Sequence, residues 1–202
     1  MPDFSLEQEA GGVVAGIDEA GRGPWAGPVV AAAVVLDATA LPEMLAARID
    51  DSKKLSGSAR RSIATELHTC ARIGIGAAAR SEIDDINILA ATMLAMRRAV
   101  DGLALVPDFA LIDGNRTPVL PCPARAVVKG DGKSLSIAAA SIIAKVTRDL
   151  IMTRLAARYP GFGWERNAGY GTAEHRAGLN RKGVTPHHRR SFAPIRHILS
   201  LT

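Results

Sequence analysis

The chain has 202 residues, 48% of them hydrophobic, and a formal net charge of +5, which is enough for one sizeable core and short for two. No apolar run reaches the roughly 18 to 20 residues of a membrane span, and the opening Met-Pro-Asp-Phe-Ser lacks a basic n-region and an h-region, so a cytoplasmic protein without membrane contact is expected. Cys70 and Cys122 stand alone, which favours small buried residues in a reducing compartment over a disulfide framework.

In chain order, residues 1–12 read as a flexible tail, and 13–202 as a single domain. Residues 13–17 and 27–36 are apolar strands joined by a glycine-rich turn, which predicts a hairpin in a buried sheet. A short helix is expected over 41–48, and Ser56 caps a longer one ending near Ala71, with Ile63, Leu67 and Cys70 at helical spacing. Residues 72–79 return as a strand. Leu89, Met93, Met96 and Val100 form the apolar stripe of a helix over 86–100. Short strands follow at 109–112 and 126–128. A long helix spans 134–159, with Ala139, Ile143, Val146 and Leu150 on one face and Lys145, Arg148 and Asp149 on another. The segment 160–202 is rich in Gly, aromatic and basic residues and reads as a binding loop and helical appendage, with a short helix over 173–179. Strands followed by alternating helices and strands give an α/β fold with a mixed sheet.

Charge is unevenly distributed. Residues 1–144 carry 14 Lys+Arg against 17 Asp+Glu, whereas 145–202 carry 11 against 3 and four of the five histidines. A basic C-terminal third beside clustered acids points to a polyanionic partner held near a metal, because Lys and Arg displace the counterions of phosphates.

The acids sit where apolar strands end. Asp18 and Glu19 follow Val13, Val14, Ala15 and Ile17, and Asp113 and Asp131 each precede a glycine. Either Asp-Gly alone is an ordinary turn. Four carboxylates at one sheet edge repel one another, by roughly 4 kcal/mol for a pair 4 Å apart at an effective dielectric of 20, and only cations make the arrangement sensible. Oxygen donors without Cys or His favour Mg²⁺ or Mn²⁺ over zinc. Gly21-Arg22-Gly23 then allows a ligand to approach the backbone closely, and Arg22 carries a phosphate-matching guanidinium.

Other motifs have plainer readings. Gly132-Lys133-Ser134 imitates the end of a P-loop, but Val127 stands where that motif needs glycine. Gly74-Ile75-Gly76 imitates a dinucleotide fingerprint but lies inside a strand. In His187-His188-Arg189-Arg190 the arginines oppose metal binding, leaving a phosphate-facing or structural role. Lys53, in Asp51-Ser52-Lys53-Lys54, is either an exposed turn residue or a phosphate contact, and Tyr170 either a core aromatic or a platform for a sugar or base.

Seven blocks in order, Gly-Ile-Asp-Glu-Ala-Gly-Arg-Gly-Pro at 16–24, Asp-Ser-Lys-Lys-Leu at 51–55, Ile-Asp-Gly at 112–114, Lys-Gly-Asp at 129–131, Ala-Ala-Ser-Ile-Ile-Ala-Lys-Val-Thr-Arg-Asp at 139–149, Gly-Tyr-Gly-Thr at 169–172 and His-His-Arg-Arg-Ser-Phe at 187–192, together resemble ribonuclease HII, the type 2 ribonuclease H family. The resemblance implies an RNase H-like fold, a central mixed five-stranded sheet flanked by helices with a helical C-terminal segment. It implies a metal-dependent endoribonuclease that cuts the RNA strand of RNA/DNA hybrids and the 5′ side of the RNA–DNA junction at single ribonucleotides in duplex DNA, leaving 3′-hydroxyl and 5′-phosphate ends. Carried over by position, Asp18, Glu19, Asp113 and Asp131 hold two Mg²⁺ or Mn²⁺ ions and catalyse. Gly21, Arg22 and Gly23 read the ribose 2′-hydroxyl, Tyr170 stacks on the next sugar, and Lys53 and Lys129 hold phosphates. A monomer acting in ribonucleotide excision repair is expected. Two other readings are a different metal nuclease or strand-transfer enzyme of the same superfold, and a basic nucleic-acid-binding module whose acids hold structural metal.

Overall fold

A computed structural model describes residues 1–200. Strands β1 (Val14–Ala20) and β2 (Val29–Val35) form the expected antiparallel hairpin, and β3 (Arg72–Ala78) adds antiparallel to its outer edge. On the other side β4 (Phe109–Asp113) and β5 (Ala124–Val127) run parallel to β1, giving a mixed five-stranded sheet in the order β3-β2-β1-β4-β5. Strand β2 is a continuous apolar run and β1 is apolar up to Ile17, because helices cover both faces of the sheet.

The helices are α1 (Ser5–Ala10), α2 (Glu43–Ala46), α3 (Gly57–Cys70), α4 (Arg80–Asp101), α5 (Leu135–Arg158), α6 (Trp164–Asn167), α7 (Ala173–Lys182) and α8 (Ala193–Ser200). Helix α4 packs on the face carrying Ala15, Ile17, Val29 and Ala31. Helices α3 and α5 pack on the face carrying Ala32 and Val34. Gly74 and Gly76 belong to the first of these contacts: a β-carbon on either would stand 2.0 or 2.1 Å from a carbonyl oxygen of α4. The dinucleotide-like spacing is therefore a device for close helix–sheet approach. As expected, Ser56 caps α3, accepting from the Ala59 N–H at 3.2 Å. Cys70 and Cys122 are both free. Among the described residues no helix is long and apolar enough to cross a membrane.

Several expectations need correction. Residues 1–12 are not a loose tail. Helix α1 docks through buried Glu7, whose Oε1 accepts from the Ser134 hydroxyl (2.6 Å) and from the Ser136 hydroxyl and N–H (2.6 and 2.9 Å) at the N-terminus of α5, where a carboxylate is favoured by the helix dipole. Ser134 is committed to Glu7 and to capping α5 through the Ile137 N–H, so the P-loop likeness is only local. The helix expected over 86–100 is present but is preceded by a further helical segment from Arg80, the two separated by non-helical Asn87 (φ 65°), whose Oδ1 accepts from the Leu89 and Ala90 N–H groups and caps the second segment. Helices α6 and α8 were not expected. On α5, Leu150 is half exposed and Arg148 fully buried, the reverse of the expected faces.

Candidate active site

The parallel pairing of Ile17 with Ile112 puts Asp18 and Asp113 one residue further along neighbouring strands, at the same level and, by strand alternation, on the face opposite Ile17 and Ile112. Asp18 lies inside β1 rather than beyond its end and is buried. Its Oδ1 accepts from the Glu19 N–H at 2.6 Å. Asp113 ends β4, and its Oδ1 accepts from the Gly130 N–H at 2.7 Å, which ties the strand end to the 3₁₀ turn Gly130–Gly132 that carries buried Asp131. Glu19 and Asp113 share the wall of an adjoining hollow.

The four acids therefore meet electrostatically. Burial, then the charges of Glu19 and Asp113, and beyond them Asp131, hold the Asp18 carboxyl well above the usual range. Burial also raises Glu19 and Asp113, against the opposing pull of Arg22 on the first and the Gly130 N–H on the second. Positive charge comes from two side chains. Lys53 Nζ lies 2.9 Å from Asp131 Oδ2 and 3.4 Å from Asp51 Oδ1, and Arg22 Nη1 lies 3.3 Å from Glu19 Oε1. Partial burial works to lower the Lys53 ammonium, but the Asp131 hydrogen bond and charge outweigh it and raise the group above its ordinary value. Among the described residues no three acids close into a tight cage.

A groove of about 290 Å³ runs from Asp18 and Glu19 past Gly21, Arg22 and Gly23 to Lys53 and Tyr170. Tyr170 is 50% exposed and lies against the glycine loop, where a β-carbon on Gly23 would stand 3.3 Å from its ring. Gly21 has φ +99°, and a β-carbon there would meet the Arg148 guanidinium at 1.9 Å, so this position requires glycine twice over. Lys129 is exposed on the turn that carries Asp131, in a left-handed backbone conformation (φ 56°), and does not line this groove.

Several further residues organise the site. Arg60 donates to the Ser52 and Leu55 carbonyls at 2.7 and 2.6 Å and holds the loop that presents Lys53. Ser141 and Lys145 line the groove from α5. Arg148 and Arg189 are buried and donate to carbonyls of the glycine loop.

The Tyr170 loop hangs on two buried histidines. His175 Nδ1 donates to the Tyr170 carbonyl at 2.9 Å, leaving its Nε2 to accept from Trp164 Nε1–H at 3.1 Å and to face His188 Nε2 at 3.0 Å. His188 Nδ1 accepts from the Thr185 N–H at 2.9 Å, so His188 carries its proton on Nε2 and donates to His175. In 187–190 the inner pair is therefore structural, His187 packs edge-on against Tyr159, and Arg190 is exposed.

The ribonuclease HII family model matches residues 15–195. Ribonuclease HII of Rhodospirillum rubrum is 63% identical over 202 residues, covering 99% of this chain and 93% of that protein. Among solved structures, ribonuclease H2 from Pyrococcus horikoshii superposes with a TM-score of 0.77 at 29% identity, covering 93% of this chain and 97% of that one. Bst-RNase HIII in complex with Mn²⁺ shares the fold at 19% identity with a TM-score of 0.76, covering 100% of this chain and 74% of that one. With seven motifs in order, the sheet they require and matches along nearly its whole length, the chain belongs to the ribonuclease HII family, endoribonucleases of the ribonuclease H type that act on RNA/DNA hybrids.

Proposed function

We propose that this chain, acting as one catalytic domain over 13–202, cuts the RNA strand of RNA/DNA hybrids and the 5′ side of the RNA–DNA junction at single ribonucleotides in duplex DNA, leaving 3′-hydroxyl and 5′-phosphate ends. Asp18 and Glu19 share one groove with a glycine-rich loop and an exposed tyrosine, Asp113 and Asp131 lie close enough behind them to act on the Asp18 carboxyl, and that convergence carries the reading.

The donor set fits hard divalent cations. All four acids offer oxygen, no Cys or His stands among them, and burial, with repulsion between the acids, holds three of the carboxyls above their ordinary range, a state that a bound cation would relieve. Asp18, Glu19, Asp113 and Asp131 would hold Mg²⁺ or Mn²⁺. When bound, such ions neutralise the scissile phosphate and acidify the attacking water. The protein's own groups position the substrate. The amides of residues 21–23 face the ribose 2′-hydroxyl, the group that separates RNA from DNA. Tyr170 stacks on the following sugar, where a deoxyribose fits best, and Lys53 and Lys129 contact phosphates. Water adds to phosphorus in line, the bond to the 3′-oxygen breaks, and that oxygen leaves as the 3′-hydroxyl. Ribonucleotide excision repair by a cytoplasmic monomer is the setting this activity suits.

Three matched duplexes test the proposal: all-DNA, one embedded ribonucleotide, and a continuous RNA strand. With Mg²⁺ the second and third are cut and the first is not. Cleavage of all-DNA duplex would favour another nuclease of the same superfold. Binding without metal-dependent cleavage of any duplex would favour a nucleic-acid-binding module.

A further inference from the structure

Two arginines stand out because they are buried without a carboxylate. Arg148 and Arg189 are 1% and 0% exposed, and all their hydrogen bonds go to main-chain carbonyls. Arg189 donates from Nη2 to Gly21 (2.6 Å) and Pro28 (3.1 Å), from Nη1 to Arg22 (2.9 Å) and from Nε to Gly27 (3.0 Å). Arg148 donates to the carbonyls of Pro28 (2.9 Å), Ala168 (2.9 Å) and Ala26 (3.2 Å), joining the same loop to the segment leading to Tyr170. Burial lowers Arg148 to about 10, and burial with the neighbouring Arg148 charge lowers Arg189 to about 9, so both remain cationic at neutral pH.

For stability alone this is an expensive design, since apolar side chains of similar volume commonly replace buried ions without loss. What the guanidiniums supply is direction. In a trans peptide the C=O of one residue and the N–H of the next point opposite ways. Carbonyls of Gly21 and Arg22 turned inward onto Arg189 therefore turn the Arg22 and Gly23 N–H groups outward, towards the groove. Among the described residues neither of those amides donates to a protein acceptor.

Resting on the reading of residues 21–23 as the ribose reader, we propose that Arg189, supported by Arg148, is a specificity-positioning residue: it holds two loop carbonyls inside so that the Arg22 and Gly23 amides are presented, already oriented, to the 2′-hydroxyl and adjoining phosphate. Arg148 extends the clamp to the Tyr170 segment, which keeps the sugar reader and the stacking ring in one register. Lysine cannot substitute, because one ammonium cannot span four carbonyls as the planar fork does.

The test has a mutational arm and an arm on the unaltered protein. R189K and R148K are compared with the parent for metal-free affinity, by fluorescence anisotropy, towards a duplex with one ribonucleotide and its all-DNA twin, with folding checked by circular dichroism and unfolding cooperativity. R189K is expected to lose about tenfold in the ratio of the two affinities, the equivalent of one hydrogen bond, while all-DNA affinity stays within about twofold, and R148K is expected to move the ratio the same way. A folded R189K with an unchanged ratio overturns the clamp. In the unaltered protein, solvent exchange of the Arg22 and Gly23 amides by NMR should be fast when free and slowed only by the ribonucleotide duplex. Amides already protected in the free protein overturn the clamp even if neither variant folds. Equal protection by both duplexes instead refutes the ribose-reader reading on which the clamp rests.

Discussion

His188 makes acid the weak side of this fold. Burial, helped by the neighbouring His175, depresses its imidazole from 6.5 to about 3. The hydrogen bonds give the reason in atomic terms: Nδ1 already accepts from the Thr185 N–H, so a proton there would face a donor, and no carboxylate is near to stabilise the cation. A histidine with a depressed folded value takes up its proton more readily when unfolded. Its contribution is therefore complete above about pH 6.5 and is lost as pH falls towards 3. Linkage gives about 1.4 kcal/mol per pH unit inside that window, hence about 2 kcal/mol between pH 7 and 5 from this residue. Urea unfolding of metal-free protein at pH 7, 6 and 5 measures it. The groove acids act in the opposite direction because their folded values are raised, so the informative quantity is the difference between the parent and His188→Asn, which keeps an acceptor for the Thr185 N–H. The parent should lose about 2 kcal/mol more than the variant over those two units. Coincident pH slopes, or an NMR titration of the His188 ring with a midpoint near 6.5, would refute the reasoning.

Asp18→Asn should lower Mg²⁺-dependent cleavage of a duplex with one ribonucleotide by about 10³-fold or more, on the scale seen when a catalytic group is removed. The same variant should unfold at higher temperature than the parent in chelator at pH 7, because the raised Asp18 carboxyl destabilises the metal-free fold once ionised. A thermal scan with chelator and an activity assay check both, and substantial activity would remove Asp18 from the reaction. Tyr170→Ala should reduce cleavage at single ribonucleotides by about 10- to 100-fold, the worth of a stacking contact, with a smaller loss of duplex affinity; equal losses would make the tyrosine merely structural. Glu7→Ala leaves three donors at the start of α5 without their acceptor and should cost about 2 to 3 kcal/mol in urea unfolding. No loss would mean that the N-terminal helix is only loosely docked.

What could be read in the sequence followed from departures from ordinary strand chemistry. Carboxylates following apolar runs single out Asp18, Asp113 and Asp131, although only Asp113 ends a strand, and the hairpin around residues 21–23 is visible because an apolar run stands on each side of it. Residues whose partners lie far away in sequence were not visible. Arg148 was assigned to a polar face by its charge, although it sits in a buried row with Ala144, Met152 and Ala156 at spacing four. That row was present in the sequence and could have flagged an arginine inside. His175 and His188 looked like members of a basic segment because their roles depend on each other, on Trp164 and on Thr185. Helix α1 escaped because its anchor is the N-terminus of a helix more than a hundred residues away. Asn87 was read through as helix because its capping function shows only where the backbone breaks.

The charge asymmetry also takes on a different meaning once the side chains are placed. Of the 11 Lys and Arg residues in 145–202, Arg148 and Arg189 are sealed inside on carbonyls and meet no phosphate. Lys145 is paired with Asp149 at 2.6 Å, and Arg166 is paired with Glu165 and Glu174. The cations nearest the acids are instead Lys53 and Arg22, from the acidic part of the chain, and in this structure both are held by the acids themselves. The basic C-terminal segment is thus divided in its work: most of its cations stay exposed, whereas buried Arg148 and Arg189, with His175 and His188, are internal scaffolding that holds the main chain of residues 21–28 and of the Tyr170 segment.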